Sequence, residues 1–365
     1  MPAGFRDGVV AFLAQKILSV SIDLSTATFG SVDRVADYAW IAFSILASVI
    51  ISSTWHLVDR RRPLAPSISY WGLWGIRVFL AWTMIAYGAI KIVPSQFPEI
   101  SLTRLIEPYG HSSPMALLWT FMGASRTYQI ITGALELICG FFLLIPQLQI
   151  VGTLIALGAT LNILALNLSY DVPVKTYSIH LVLASLAIIS PNIQSLFRFF
   201  IQNQAVKLSL DLRPSFSARW SKLLVVVPLA VGIWILGSRL QGTNNPVDVP
   251  LRGIWVVEKV ENQPSFPWTQ IVFDRPTLMA AQHMDGAIEL IKIEDIDPEK
   301  FLTIRKKATG WKTTFQISRI DQNAMQLKAP WDGHEVVLHL RKRDPSEFLL
   351  INRGFHWINE APFNE

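Results

Sequence analysis

Cysteine is almost absent from this chain. The one present, Cys139, lies inside an apolar run, so no disulfide framework, CxxC pair or iron–sulfur spacing exists within the sequence. Charge is scarce as well: 16% of residues are Asp, Glu, Lys or Arg, against about 25% in soluble domains. Walker loops, dinucleotide fingerprints and haem-attachment motifs are missing. So are long repeats and low-complexity tracts. His334-Glu335-Val336-Val337-Leu338-His339 resembles a zinc-protease motif with one residue too many. It falls in a β-like run, where positions five apart point to opposite faces, and no metal site is expected. The excess of +5 charges is no nucleic-acid signature, because many basic residues flank apolar runs, where membrane orientation explains them.

What the chain has in quantity is apolar sequence, 51% of its 365 residues. The long apolar runs lie before residue 240, and the remainder reads as an ordinary soluble domain. The composition predicts a polytopic α-helical membrane bundle followed by an antiparallel β-barrel or sandwich. Three parts are expected: an interfacial or short membrane segment over 1–37, a membrane domain over 38–240 and an extracytoplasmic β-domain over 250–365. The N-terminal stretch lacks a small-residue cleavage site, so no cleaved leader is expected. Residues 8–22 are interrupted by Lys16, which favours a helix lying in the interface.

Spans are expected at 38–58, 71–93, 128–145, 148–168, 176–190 and 223–236, each compared with the roughly 20 residues that cross a bilayer. Asp59-Arg60-Arg61-Arg62 and the basic segment 198–222 mark the cytoplasmic side. Alternation then puts the loops 94–127 and 169–175 and the β-domain outside. Ser113-Pro114 reads as a helix cap with a first-turn proline, opening a short apolar helix over 115–122 on or in the membrane. Beyond residue 250 the period changes to that of strands. Eight short β-like runs are expected, near 254–257, 270–273, 287–293, 301–305, 314–318, 325–328, 335–340 and 348–351. Asp285-Gly286 and Asp332-Gly333 are among the turn signals. Gly354-Phe355-His356-Trp357 is expected to close the barrel.

Polar residues inside the spans are the functional candidates, because ionisable groups at membrane depth are costly. A helix rises about 1.5 Å per residue, which puts Tyr87, Glu136, Asn162 and His180 about 9–12 Å below the outer surface. Lys91, Asn167, Asp171 and Lys175 complete the set, with Lys91, Asp171 and Lys175 nearer the mouth. The expectation is an outward-opening polar pocket: Glu136 and His180 handle protons, and Tyr87, Lys91, Asn162, Asn167, Asp171 and Lys175 bind a ligand. Each has a structural alternative. Asn162 can bond between helices, Asp171 and Lys175 can pair at the surface, Lys91 can snorkel and His180 can make a core hydrogen bond. Gly152, Ala156 and Thr160 form a small-residue ridge for helix packing.

Several motifs combine into a family pattern. They are Ser53-Thr54-Trp55, Asp59-Arg60-Arg61-Arg62, Tyr87-Gly88 with Lys91, Gln96-Phe97, Pro108-Tyr109-Gly110, Ser113-Pro114-Met115, Gly133 with Glu136, Asn162, Asn167, and Tyr170-Asp171-Val172-Pro173-Val174-Lys175. Arg353-Gly354-Phe355-His356-Trp357-Ile358 with Glu360 and Pro362-Phe363-Asn364 adds to them. Together they resemble the DoxX-like family of bacterial membrane proteins in its long form. The resemblance implies a four-helix core, here the second to fifth spans, in the bacterial inner membrane. It also implies a redox link: some members are associated with quinone-linked sulfur oxidation or membrane redox complexes. A quinone-like cofactor, the lipid bilayer and a membrane redox partner are therefore the expected company. The alternative is a non-catalytic scaffold whose β-domain docks a partner, and the residues alone leave enzyme and scaffold both open.

Overall fold

A computed structural model describes residues 33–58, 66–207, 248–263, 265–306 and 309–361, with isolated positions at 8, 12, 15, 226, 227, 230 and 237. The expected interfacial helix 8–22, the basic runs at 59–62 and 208–222, the span 223–236 and the motif Pro362-Phe363-Asn364 lie outside the continuously described residues. The chain divides into two compact units, one of residues 1–93 and 130–239, the other of 94–129 and 240–365.

The first unit is helical. Its long helices are α1 (Val35–Val58), α2 (Pro66–Ile92), and then, beyond the second unit's insertion, α5 (Arg126–Leu144), α6 (Gln149–Ser169) and α7 (Lys175–Ile189). A 3-10 turn, Ser190–Asn192, carries α7 into α8 (Ile193–Phe200). Among the described residues five helical segments are long and apolar enough to cross a membrane; they overlap the first five expected spans, the fifth running on to Phe200. Pro146 and Pro173 fall between helices, where the missing N–H costs nothing.

Close backbone approaches at glycine bring the helices of the bundle together. A Cβ on Gly88 of α2 would lie 2.6 Å from the carbonyl oxygen of Gly133 on α5, and one on Gly133 would lie 2.8 Å from that of Gly88. Seven residues along α5, Gly140 fits against Ala81 and Ile85 in the same way, and Gly152 of α6 fits against Phe142 and Leu143. Without a hydrophobic driving force between helices in lipid, such contacts supply dispersion and permit short interaxial distances. Leu80, Met84, Cys139, Leu143, Ala156, Leu181 and Ile188 fill the interior. Gly152, Ala156 and Thr160 are all buried, as the ridge predicts.

The second unit contains a closed antiparallel barrel: β1 (Gly253–Glu261), β2 (Trp268–Arg275), β3 (Leu278–His283), β4 (Ile288–Asp297), β5 (Phe301–Arg305), β6 (Lys312–Arg319), β7 (Ala324–Trp331) and β8 (His334–Arg343). Each strand pairs with its sequence neighbour, and β8 returns to β1. The period-2 alternation of a sheet closed on itself is plain in β6, where Thr313, Phe315 and Ile317 point inward. The interior is filled by Trp268, Phe273, Met279, Ile291, Phe315 and their neighbours. At one end, the Lys306 ammonium lies 5.7–6.0 Å from the ring centres of Trp268, Trp311 and Trp331 and 3.0 Å from Glu289 Oε2, a cation–π lid. Asp332 and Gly333 both have positive φ, 47° and 81°, the conformation a two-residue hairpin needs.

Two strand expectations require correction. Leu278–His283 is a strand that the sequence reading passes over, and 348–351 is instead the helical turn α9 (Leu349–Asn352). Nor does Gly354-Phe355-His356-Trp357 close the barrel. Closure is made by β8 on β1, which leaves no free edge for a further strand.

Residues 94–129 belong to the barrel's unit. They form α3 (Leu102–Ile106) and α4 (Pro114–Ala124), capped by the Ser101 and Ser113 hydroxyls. Ile254, Val272 and Ala280 alternate with the inward side chains and so lie on the barrel's outer face, and Ile106 covers them. Thr103 donates to Asp274 through Oγ1 at 2.8 Å, and Gln282 Nε2 donates to the Ile106 carbonyl at 2.6 Å.

Candidate functional site

Lys91 and Glu136 are both buried charges of the helical unit. Each stands three residues beyond one of the apposed glycines, Gly88 and Gly133, so both lie on the contacting faces of α2 and α5. They form an ion pair whose side chains are 8% and 4% exposed. Pairing is what makes two charges tolerable at membrane depth. The second carboxylate oxygen of Glu136, Oε2, is buried without a hydrogen-bond partner among the described residues. The Cys139 thiol donates to the Glu136 carbonyl at 3.0 Å.

The ring centre of Tyr87 is 6.2 Å from that of Tyr177 on α7. The Tyr177 hydroxyl is 3.3 Å from Thr83 Oγ1. The Thr83–Tyr177 contact joins α2 to α7.

Asn162 and His180 do not join the Lys91–Glu136 pair, contrary to the expected single pocket. Both are exposed on the outer surface of the unit. Asn167 is buried, and its carbonyl accepts from the Val172 amide at 3.0 Å. Asp171 is exposed, with a left-handed φ of 51°, and accepts from Lys175 Nζ at 2.7 Å. That pair lies at the α6–α7 connection.

His180 lines a groove of about 590 Å³ between α1, α2 and α7. Asp37, Thr176 and His180 give one end polar character, while Trp40, Phe79 and Leu183 are among its apolar walls. From Thr176 to Ala187 the groove follows α7 for about 16 Å at the usual helical rise. The Thr176 carbonyl is 2.6 Å from His180 Nδ1. A carbonyl only accepts, so Nδ1 carries a proton, and in the neutral ring Nε2 is then the acceptor.

Two further residues shape the unit, and the sequence reading names neither. Asp33 caps α7 from a distant part of the chain. Its carboxylate accepts from the Lys175 amide at 2.7 Å, the Thr176 amide at 2.8 Å and the Thr176 hydroxyl at 2.7 Å. Burial alone would raise the Asp33 carboxyl, but these hydrogen bonds and the Lys175 charge hold it below the usual aspartate range. Arg77 of α2 is 4% exposed and bonds the Gln149 side chain of α6. The criterion that selects Glu136, a charge inside an apolar run, would have found Arg77. Nothing local signals Asp33, whose partners are 142 and 143 residues away.

No family model matches the chain, and no solved structure does. A stretch of 102 residues is 33% identical to the uncharacterized protein YwoB of Bacillus subtilis strain 168, covering 28% of this chain. The chain spans 64% of the length of that relative.

Proposed function

We propose that this is an integral membrane protein of the DoxX-like type, which holds an amphipathic, quinone-like ligand in the α1–α2–α7 groove as an accessory to a membrane redox partner. The observation that carries the reading is the groove's polarity gradient. A polar end at Asp37, Thr176 and His180 suits a head group, and the apolar walls beyond it suit a hydrocarbon tail. In this reading His180 Nε2 accepts a hydrogen bond from a hydroxyl of the reduced ligand. In the same reading the buried Lys91–Glu136 pair holds or moves a proton. The basic segments 59–62 and 198–222 support an orientation in a bacterial inner membrane with the β-domain outside. Residues 38–240 serve as the membrane part and 250–365 as the extracytoplasmic part.

Native mass spectrometry of the detergent-extracted full chain tests this. Wild type is expected to retain a quinone-type lipid. His180→Ala and the groove-filling Ala184→Trp are each expected to lose it several-fold. Absence of such a lipid from wild type, or equal retention by both variants, overturns the reading.

A second reading, a scaffold whose β-domain docks a partner, is favoured by the filled barrel. With Trp268, Phe266, Phe273 and Phe315 all under 2% exposed, the barrel has no lumen to offer a ligand, and its outer surface is what remains for recognition. Partner capture that survives Ala184→Trp would support this reading over the first.

A further inference from the structure

The segment from Leu349 to Asn359 presents apolar side chains that the barrel does not use. Leu350 is 53% exposed, Phe355 81%, Trp357 89% and Ile358 76%. In a soluble setting so many large exposed apolar groups in one short stretch would be a liability. They are nonetheless held in a defined arrangement. Arg353 donates to Asn359 Oδ1 at 2.9 Å, Asn359 Nδ2 donates to the His356 carbonyl at 3.2 Å, and the Phe355 and Trp357 rings meet edge to face at 5.7 Å. The segment is therefore an ordered display of aromatic rings.

Two observations identify what the display meets. First, the unit that carries it is joined through the chain to helices of membrane length. Residues 94–129 are part of the same unit, and they begin directly after one membrane-length helix and end inside the first turns of another. Second, the segment's charge suits a phospholipid surface. Between Leu349 and Asn359 there is no acidic residue, while Arg353 and His356 stand among the apolar groups. Trp and Phe at the head-group level, with basic residues beside them, are what an interfacial anchor requires.

We propose that residues 349–359 are an interfacial membrane anchor, which inserts Phe355, Trp357 and Ile358 among lipid head groups and holds the barrel unit against the bilayer. The anchor is independent of any ligand in the α1–α2–α7 groove.

The test uses the full chain in nanodiscs of mixed anionic and zwitterionic lipid, with a nitroxide attached through Asn352→Cys. This site is exposed and leaves Phe355, Trp357 and the Arg353–Asn359 and Asn359–His356 hydrogen bonds in place, and a label at Gln322→Cys on the exposed β6–β7 turn is the reference. Wild-type protein treated alongside verifies that buried Cys139 takes up no label. Collision with oxygen relative to a water-soluble nickel chelate is expected to be several-fold higher at 352 than at 322. Adding Phe355→Ser and Trp357→Ser to the first label is expected to return the ratio to the reference value with the melting temperature unchanged. Equal ratios at 352 and 322 with the aromatic residues intact would overturn the proposal. So would a high ratio at 352 that persists in the double-serine background.

Discussion

Lys91 and Glu136 meet one helical step beyond the two glycines at which their helices touch. The glycine contact sets the distance between the backbones, and the charges neutralise each other inside the space it leaves. Removing either partner strands the other, and such a loss costs about 3–5 kcal/mol for buried pairs. Lys91→Met and Glu136→Leu are each expected to lower the thermal midpoint in detergent markedly. The double variant is expected to recover most of the loss. A double-mutant cycle read by thermal unfolding checks this.

The glycines should tolerate nothing larger. A methyl group on Gly88 would meet the Gly133 carbonyl oxygen and the Leu137 backbone nitrogen, at 2.6 and 2.7 Å, and backbone cannot swing aside as a side chain can. Gly88→Ala is expected to destabilise by about 1–3 kcal/mol, as overpacking does. Gly72→Ala has nothing within 4 Å, and it should be neutral or slightly stabilising, because alanine is the better helix former by about 1 kcal/mol. Unfolding midpoints of the two variants give the comparison.

Asp33 links acid sensitivity to the start of α7. Its folded carboxyl titrates below the ordinary aspartate value. Its contribution is therefore fully present above that value, about 3.9, and is lost as pH falls through the lower folded one. Asp33→Ala is expected to cost about 1 kcal/mol at neutral pH, as loss of a cap does. The gap in melting temperature between wild type and variant should stay constant above pH ~4 and close below it. Melting temperatures of both proteins across that range measure it.

Ile106 seals the outer face of the barrel from α3. Ile106→Ala is expected to cost about 2 kcal/mol, the low end for a buried isoleucine, since the site lies at the edge of its cluster. The nearby backbone should then be cut faster by protease, while Leu80 and its neighbours in the helical unit are unaffected. Mass spectrometry of limited digests distinguishes the two outcomes.

Much of this architecture is legible in the sequence because membrane spans need only length and apolar content. The Ser113 cap and the Asp332-Gly333 hairpin are legible because their chemistry is local. Leu278–His283 is not: Met279, Ala280 and Ala281 have modest strand preference, and β2 and β4 impose the conformation from either side. The single polar pocket fails for a different reason. Depth along a helix fixes height but not direction. Helical residues turn about 100° each, so Asn162, two beyond Thr160 on the packed ridge, faces nearly the opposite way. Thr160 is buried and Asn162 exposed, and the ridge already implied as much. Glu136 and Lys91 were visible as charges, but their pairing depends on the apposition of Gly88 and Gly133, which no periodicity announces.

The Thr103–Asp274 hydrogen bond joins residues 171 apart in the chain. At about 5–20 residues per second of synthesis, the segment holding Thr103 leaves the ribosome roughly 10–35 s before the strand it rests on exists. Throughout that interval Leu102, Leu105 and Ile106 have no barrel to cover. Biogenesis of this protein therefore includes a waiting period, in which the half-made product carries a covering segment with nothing yet to cover.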